Sequence, residues 1–223
     1  MSRRLCIAID GPSGAGKSTL ARALAQRLSL RYVDTGAIYR AVGMIARDAG
    51  VFEEGEVVTV LDGARLEVVC DPKSFAVFVD GCDVTAELRT PEAGRWASRI
   101  AAFPSVRERL VPMQRALARG GAVVEGRDIA SVVLPDADFK FFVTADEAVR
   151  VSRRAAQFGS VASARVNEDV RERDRRDRAR SISPLQPAQD AIKLDTSSED
   201  VEESVESLLR FIGGSSGSGL VGL

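Results

Sequence analysis

Residues 11–18 of this 223-residue chain read GPSGAGKS, which matches the G-x-x-x-x-G-K-[ST] pattern of a phosphate-binding loop. Its glycines allow the backbone to fold so that consecutive N–H groups point inward, where they can hold phosphate oxygens. A helix that begins at the loop adds the positive end of its dipole. The motif therefore predicts a strand, a loop and a helix in that order, with a site for a nucleoside triphosphate.

The residues on either side of the loop fit this order. Residues 5–9 form a short apolar run with β-branched side chains, which is typical of a buried strand, and residues 19–25 favour a helix. We assign binding of the donor nucleotide to Gly11, Pro12, Ser13, Gly14, Ala15, Gly16, Lys17, Ser18 and Thr19. Within this set, we expect Lys17 to reach the β- and γ-phosphates and Ser18 to hold Mg²⁺.

Composition excludes several classes of protein. The chain is 45% hydrophobic and 28% charged, which is typical of a globular protein with one core and a smaller module. Its formal charge of −1 predicts no binding to nucleic acid or anionic membranes. Histidine is absent, which excludes catalysis by imidazole. The three cysteines lack metal-ligand spacing and no signal peptide is recognised, so we expect reduced thiols in a cytoplasmic protein.

Strand and helix patterns alternate along most of the chain. Further strands are predicted at 31–34, 122–125, 139–143 and 191–195, and further helices at 37–49, 91–103, 106–118, 147–157 and 199–212. This alternation predicts an α/β fold, a three-layer α/β/α core with a five-stranded parallel sheet. Between residues 66 and 85 the period changes to two, which predicts an inserted β-hairpin with its turn at 71–74. Residues 213–223 are rich in Gly and Ser and predict a flexible tail.

A phosphate-binding loop alone is compatible with a kinase, a GTPase switch or a helicase-type ATPase. A guanine-specific GTPase usually carries Asn-Lys-x-Asp, but the only asparagine here, Asn167, is followed by Glu168. Ten arginines and five acidic residues lie between residues 150 and 180. We expect this segment to be a helical lid, because guanidinium groups on a closing element neutralise the transferred phosphoryl group and exclude water.

Within this lid, a helix is predicted over residues 166–180. Arg173, Asp177 and Arg180 fall at i, i+4 and i+7, so they project from one face of that helix. Two cations that flank a carboxylate suit a nucleotide, and Arg150, Arg153 and Arg154 are expected nearby. We expect Arg180 to be exposed, with little effect on stability, and the pairs Glu172–Arg176 and Asp174–Arg178 to be ordinary surface pairs.

Several motifs occur in the order found in bacterial cytidylate kinases, and the chain resembles that family to about Ile212. These motifs are IDGPSGAGK at 9–17, DTGAIYR at 34–40, AS at 97–98, AAFP at 101–104, VR at 106–107, GRD at 126–128, ERD at 172–174 and RDR at 176–178. The resemblance implies a phosphate-loop kinase that transfers the γ-phosphoryl group of ATP to CMP or dCMP. It also implies that the inserted hairpin belongs to an enlarged monophosphate-binding module.

The resemblance implies a role for individual residues. Thr35, Arg40, Arg127 and Arg180 would contact the acceptor phosphate, Arg173 and Asp177 the ribose, and Ser98, Arg107 and Asp128 the base, with Tyr39 also in the CMP site. Lys17, Arg127, Arg173 and Arg180 form the expected catalytic set, and Arg154 is assigned to ATP. A carboxylate at Asp128 complements the 4-amino group of cytosine and disfavours the carbonyl of uracil. Glu125 is a secondary candidate for the Mg²⁺ site.

The expected organisation is one kinase domain over residues 1–212, acting as a monomer. Its core comprises 1–34, 86–149 and 181–212, its monophosphate-binding region 35–85 with the hairpin insert at about 65–85, and its lid about 150–180. No general base is required, since the attacking phosphate oxygen is already an anion. The alternatives are a phosphate-loop kinase for UMP or another small acceptor, and a nucleotide-dependent switch or nucleic-acid ATPase.

Overall fold

The computed structural model describes residues 5–157, 159 and 164–214. The predictions for residues 1–4, 158, 160–163 and 215–223, which include part of the lid and most of the tail, lie outside the described residues. In the part of the chain that the structure describes, no helix has both the length and the apolarity needed to cross a bilayer.

The described elements follow one another as strands and helices with one inserted sheet. They are β1 (Cys6–Asp10), α1 (Lys17–Arg27), β2 (Arg31–Asp34), α2 (Thr35–Asp48), α3 (Glu54–Gly63), β3 (Leu66–Cys70), β4 (Phe75–Val79), β5 (Cys82–Asp83), α4 (Pro91–Ile100), α5 (Pro104–Ala118), β6 (Ala122–Gly126), a π-helical turn (Ile129–Val133), β7 (Phe139–Thr144), α6 (Glu147–Gln157), α7 (Ala164–Ala179), β8 (Ile192–Asp195) and α8 (Val201–Gly214).

The central sheet has five parallel strands, as the sequence predicted, and their order is β2-β6-β1-β7-β8. The chain steps from β1 to β2 in one direction along the sheet and from β2 to β6 in the other. Because crossovers between parallel strands are right-handed, α1 lies on one face and α2–α5 on the opposite face. Ile7, Ala8 and Ile9 of the central strand β1 are fully buried, which explains their continuous apolar run. The sheet therefore forms the middle of a three-layer core.

The inserted module is a small antiparallel sheet of order β3-β4-β5. Its hairpin, β3 and β4, lies where the period of two predicted it, with Val68 opposite Val77. Phe75 packs edge-on against Tyr32 of β2, with ring centroids 5.8 Å apart. The insert is thus attached to the edge strand of the central sheet, beside the residues that follow β2.

Some elements differ from the sequence prediction. Helix α3, strand β5 and the π-helical turn were not predicted, and α3 buries only Val57 and Leu61, so its sequence carries little helical periodicity. Helix α4 ends at Ile100 and α5 begins at Pro104, because proline is well suited to the first turn of a helix. The prediction of a flexible tail was wrong for Gly213 and Gly214, which continue α8.

Helices α2 and α4 cross in close contact at Gly43. A Cβ atom at Gly43 would lie 2.7 Å from Cβ of Trp96, which is closer than side chains pack. We expect Gly43→Ala to lower the free energy of unfolding by about 1–3 kcal/mol through overpacking. Gly55→Ala in α3 is the matched control, because a Cβ there meets nothing within 4 Å; helix propensity predicts a gain of up to about 1 kcal/mol. Urea unfolding of both variants measures the difference, and equal effects would contradict this packing argument.

Candidate active site

The phosphate-binding loop connects β1 to α1 and lies at the carboxyl end of the sheet. Its first glycine, Gly11, has a φ of +149°, and a Cβ there would lie only 2.0 Å from the carbonyl oxygen of Val143 in β7. No other residue fits this close approach between the loop and the neighbouring strand. The local sequence therefore fixes where the loop leaves the sheet and turns into α1.

Lys17 lies inside the loop. Its Nζ donates a hydrogen bond of 2.7 Å to the carbonyl oxygen of Pro12, and its side chain is buried. Burial, together with the charge of Arg127, lowers the pKa of Lys17 to about 7, while the charge of Glu125 acts in the opposite direction. An anion in the loop would restore the charged form of this amine.

Ser18 lies beside a buried carboxylate. Its Oγ donates to Glu125 Oε1 at 2.5 Å, and the hydroxyl of Tyr32 donates to the same oxygen at 3.1 Å. Burial raises the pKa of Glu125, and the nearby charge of Asp34 raises it further. A hydroxyl and a carboxylate oxygen therefore stand together at the start of α1.

One cavity of about 1040 Å³ joins this loop to the elements on the opposite side of the cleft. Of the residues assigned from the sequence, Gly11 and Pro12 are buried and do not line it. All the others do: Ser13, Gly14, Ala15, Gly16, Lys17, Ser18, Thr19, Thr35, Tyr39, Arg40, Ser98, Arg107, Arg127, Asp128, Arg154, Arg173, Asp177 and Arg180. Seven separate parts of the chain therefore converge on one space.

Asp177 of α7 is the carboxylate at the centre of the arginine groups. Arg127 Nε donates to its Oδ2 at 2.9 Å, Arg180 donates to its Oδ1, and Ser98 Oγ lies 3.3 Å from the same oxygen. Burial opposes ionisation of Asp177, but the charges of Arg127, Arg180 and Arg173 outweigh it and lower the pKa of the carboxyl. Asp177 is therefore an anion held by several cations.

The cations around Asp177 outnumber the carboxylates. Burial, together with the charges of Arg127, Arg154 and Arg40, lowers the pKa of Arg173 to about 9 against the opposing effect of Asp177. Its Nε is buried and has no hydrogen-bond partner among the described residues. Burial likewise lowers the pKa of Arg154 to about 10, with Arg40 and Arg127 adding to the shift. Such a concentration of positive charge is stabilised by an anion in the cavity.

A second polar group lies on the α5 side of the cavity. Arg107 of α5 forms an ion pair with Asp128 in which both side chains are at most 6% exposed. The guanidinium of Arg107 also lies over the ring of Tyr39, 5.7 Å from its centroid. Burial raises the pKa of Tyr39 to about 12, so its hydroxyl stays protonated. This group offers a carboxylate, a guanidinium and a phenol to a ligand.

Asp10, at the end of β1, holds the backbone that carries Arg127 and Asp128. Its two carboxylate oxygens accept hydrogen bonds from the N–H groups of Ile129 and Ala130, each at 2.8 Å. Burial raises the pKa of Asp10 to about 7, although these two hydrogen bonds lower it. Sequence reasoning missed Asp10, whose position at the carboxyl end of a predicted parallel strand is a usable signal for proximity to a ligand.

Comparison with known proteins identifies the family. The family model described as cytidylate kinase matches residues 7–213. The chain belongs to the cytidylate kinase family. It is 45% identical to the cytidylate kinase of Desulfitobacterium hafniense over 217 residues, which cover 94% of this chain and 93% of that protein. It is 43% identical to the cytidylate kinase of Methylococcus capsulatus, covering 92% and 96%. A bifunctional pantoate ligase/cytidylate kinase of Synechococcus sp. is 45% identical over 93% of this chain and 41% of that longer protein.

The match to the cytidylate kinase family confirms the resemblance found from the motifs, and with it an ATP-dependent phosphotransferase. The structure nevertheless changes two expectations about α7. Asp174 does not pair with Arg178 on the surface; it is buried and pairs with Arg150 at 2.5 Å. Arg180 follows the end of α7, and its side chain is 6% exposed rather than solvated, because it packs against Asp177. Glu172 pairs with Arg176 as expected, and also with Arg175.

Arg153 and Arg154 of α6 lie on different sides of the cavity. Arg153, which was not assigned to ATP, has its Nη1 3.6 Å from the Cβ position of Gly16 and donates to Thr196. Arg154, which was assigned to ATP, has its Nη2 3.3 Å from the Cβ position of Gly94 in α4. Thus Arg153 lies against the phosphate-binding loop, whereas Arg154 lies towards the α4 side of the cavity.

The low pKa of Lys17 has a measurable consequence for this cytidylate kinase family member. At pH 8, an amine with a pKa of about 7 is mostly neutral, whereas a neighbouring phosphate favours the charged form. We therefore expect ADP binding at pH 8 to take up nearly one proton. Calorimetric titration in two buffers with different ionisation enthalpies measures this uptake. Lys17→Met, the control, should lose it, and binding without uptake by the unmodified protein would contradict a neutral Lys17.

Proposed function

We propose that the chain transfers the γ-phosphoryl group of ATP to CMP or dCMP, producing ADP and CDP or dCDP. The observation that carries this proposal is the presence of two different phosphate-binding groups in one cavity. The backbone loop of residues 11–18 lies on one side, and the arginines around Asp177 lie on the other. One group suits a chain of phosphates and the other a single phosphate. The names of the relatives support cytidine monophosphate as the acceptor.

In this proposal each set of residues has its own task. The loop and Lys17 hold the donor phosphates, with Arg153 a further candidate for this side. Arg40, Arg127 and Arg180, with Thr35, hold the acceptor phosphate so that one of its oxygens faces the γ-phosphorus in line with the leaving group. Arg173 lies beside Arg127, where it can neutralise charge on the transferred group. No proton has to be removed from the attacking oxygen, which agrees with a chain that lacks histidine.

Recognition of cytosine is assigned to Asp128, Arg107 and Ser98. The 4-amino group of cytosine is a donor for a carboxylate, while O2 and N3 accept from a guanidinium or a hydroxyl. The buried Arg107–Asp128 pair presents this combination in a fixed orientation. We assign binding of the ribose to Arg173 and Asp177, because Asp177 lies between the arginines and Ser98.

We propose that Mg²⁺ is the cofactor. No group of three or more acidic, histidine or cysteine side chains that could hold a metal occurs within residues 5–157, 159 and 164–214. A site without such a group still suits Mg²⁺, because Mg²⁺ in a kinase is usually bound by one or two protein oxygens together with substrate phosphates and water. Ser18 Oγ and Glu125, 2.5 Å apart at the end of the loop, are suitable. Bound there, Mg²⁺ would neutralise charge on the β- and γ-phosphate oxygens.

The proposal also covers the organisation of the chain. The hairpin region forms part of the monophosphate-binding side, since Phe75 lines the cavity, and α6 and α7 form the lid. We further propose a cytoplasmic monomer without a nucleic-acid or membrane partner. Sedimentation at micromolar concentration tests the monomer.

A coupled assay of ADP formation with CMP, dCMP, UMP, AMP and no acceptor tests the reaction. We expect turnover with CMP or dCMP far above the other acceptors, and identification of CDP or dCDP as the product. Preference for UMP or AMP would assign the chain to another acceptor. ATP hydrolysis stimulated by RNA or DNA, without a phosphorylated nucleotide product, would indicate a nucleic-acid ATPase instead.

Base selectivity is tested by Asp128→Asn. The amide keeps an oxygen for Arg107, so the buried pair is not left without a partner, but it loses the charge that favours the amine of cytosine. We expect the ratio of kcat/KM for CMP over UMP to fall by about 5- to 150-fold, which corresponds to about 1–3 kcal/mol. Asp136→Asn, an exposed carboxylate in the following loop, is the control. Proportional loss on both nucleotides would remove Asp128 from base recognition.

The corrected environment of Arg180 gives a second mutational prediction. Arg180→Ala should reduce kcat/KM by about 10²-fold or more, the scale for removal of one preorganised charged group. It should also lower the free energy of unfolding by about 1–3 kcal/mol, because Asp177 loses one buried partner. Arg175→Ala, on the exposed side of α7, should change neither property. Steady-state kinetics measure kcat/KM, and thermal unfolding measures the loss of stability. Equal losses of kcat/KM in both variants would contradict a role for the side of α7 that faces the cavity.

A further inference from the structure

We propose that Asp174 is a positioning residue that fixes the arginine-bearing helix α7 to the phosphate-binding loop, so that the rate of phosphoryl transfer depends on a carboxylate outside the substrate cavity. This inference rests on the proposed function and adds a residue to it. Asp174 is buried and does not line the cavity that holds the assigned residues. Its contacts are all with protein groups that shape the site.

The backbone N–H and carbonyl groups of Ser13 both form hydrogen bonds with side chains of the lid helices α6 and α7. Asp174 Oδ1 accepts from the Ser13 N–H at 3.1 Å, and Arg150 Nη1 of α6 donates to the Ser13 carbonyl oxygen at 2.9 Å. Arg150 Nη1 also donates to Asp174 Oδ2 at 2.5 Å, which closes a ring of three contacts. Arg150 Nε donates to the carbonyl oxygen of Ala145, which secures the start of α6. The loop and both lid helices therefore share one buried polar cluster.

The cluster lies where the phosphate-binding loop and α6 are in close backbone contact. A Cβ atom at Gly14, next to Ser13, would lie 2.6 Å from the carbonyl oxygen of Arg150. Gly14 also has a φ of +78°, which L side chains rarely adopt. The phosphate-binding loop is thus packed directly on α6, and a shift of α7 relative to the loop would break the Asp174 contacts.

A buried ion pair is a poor source of stability, because removing two charges from water costs about as much as their attraction returns. The Asp174–Arg150 pair is better explained by the geometry that it imposes. Asp174 directly follows Arg173, and Asp177 lies one turn later on the same helix. Fixing Asp174 to Ser13 therefore fixes the distance from the donor loop to the arginine that serves the transferred group. Reaction rates depend on such distances to within less than about 1 Å.

The charge of Asp174 also reaches the donor side. It raises the pKa of both Lys17 and Arg127, against the effect of burial. Its removal therefore loosens α7 and leaves the cations of the cavity with less compensation. Both effects act on the transition state for transfer more than on binding of either nucleotide, so kcat is the parameter expected to change.

The experiment compares Asp174→Asn with Glu172→Gln, a carboxylate on the same helix that is 35% exposed and pairs with Arg175 and Arg176. We expect Asp174→Asn to lower kcat by about 10-fold or more, with the KM values for ATP and CMP changed less than about 3-fold, and Glu172→Gln to leave both unchanged. Asparagine has one acceptor oxygen for two donors, and the charged Arg150 competes for it more strongly than the Ser13 N–H, so the exchange of the Ser13 amide hydrogen should accelerate in Asp174→Asn alone. Normal kcat in a folded Asp174→Asn protein, or unchanged Ser13 exchange, would overturn the proposal.

A double-mutant cycle separates positioning from general support of the fold. If Asp174 acts through Arg173, Asp174→Asn should have little further effect on kcat in an Arg173→Ala background. Equal effects in both backgrounds would overturn the proposal. If Asp174→Asn does not fold, Asp174→Glu replaces it in both measurements, since it keeps the buried charge beside Arg150 but moves the carboxylate away from its position against the Ser13 N–H. Hydrogen exchange of the Ser13 amide is measured without substrate. It therefore tests the contact with Asp174 even if the chain does not phosphorylate CMP, so the two proposals can fail separately.

Discussion

The rest of the site depends on the excess of buried guanidinium over carboxylate charge around Asp177. One carboxylate accepts from Arg127 and Arg180, while Arg127, Arg154 and Arg40 lie close enough to Arg173 to lower its pKa. Assembling like charges in a poorly solvated space costs free energy unless an anion joins them. In the proposed function, a bound phosphate supplies that anion, so the same charges that cost the protein stability would provide the affinity of the site.

The parallel sheet explains why residues so far apart in the chain meet here. Carboxyl ends of parallel strands share one edge, so the loop after β1, Thr35 after β2, Arg127 after β6 and Thr196 after β8 lie along one line. Helices α4, α5 and α7 then supply the side chains that close the space above this edge. In the proposed function, the donor site comes mainly from the sheet edge, and the acceptor site mainly from the helices that cover it.

The sequence predicted the features that are encoded locally. The five strands are short segments rich in apolar residues, and the phosphate-binding loop is a short and specific motif, so both the sheet and the position of the loop were predictable. The environment of Asp174 was not predictable. On an isolated helix its i+4 partner is Arg178, and nothing in the local sequence reveals the hydrogen bond to Ser13, 161 residues away. The different surroundings of Arg153 and Arg154 were not predictable for the same reason, because adjacent residues of a helix point in different directions and only tertiary packing orients the helix.

Thr196 joins the last strand of the sheet to the first loop of the chain. Its hydroxyl lies 3.2 Å from the carbonyl oxygen of Ala15 and 3.1 Å from that of Thr144, and Arg153 donates to it at 3.0 Å. During synthesis the phosphate-binding loop leaves the ribosome long before Thr196 does. A nascent chain that already contains the complete nucleotide motif therefore still lacks this support, and the loop reaches its final shape only when β8 has been added to the edge of the sheet.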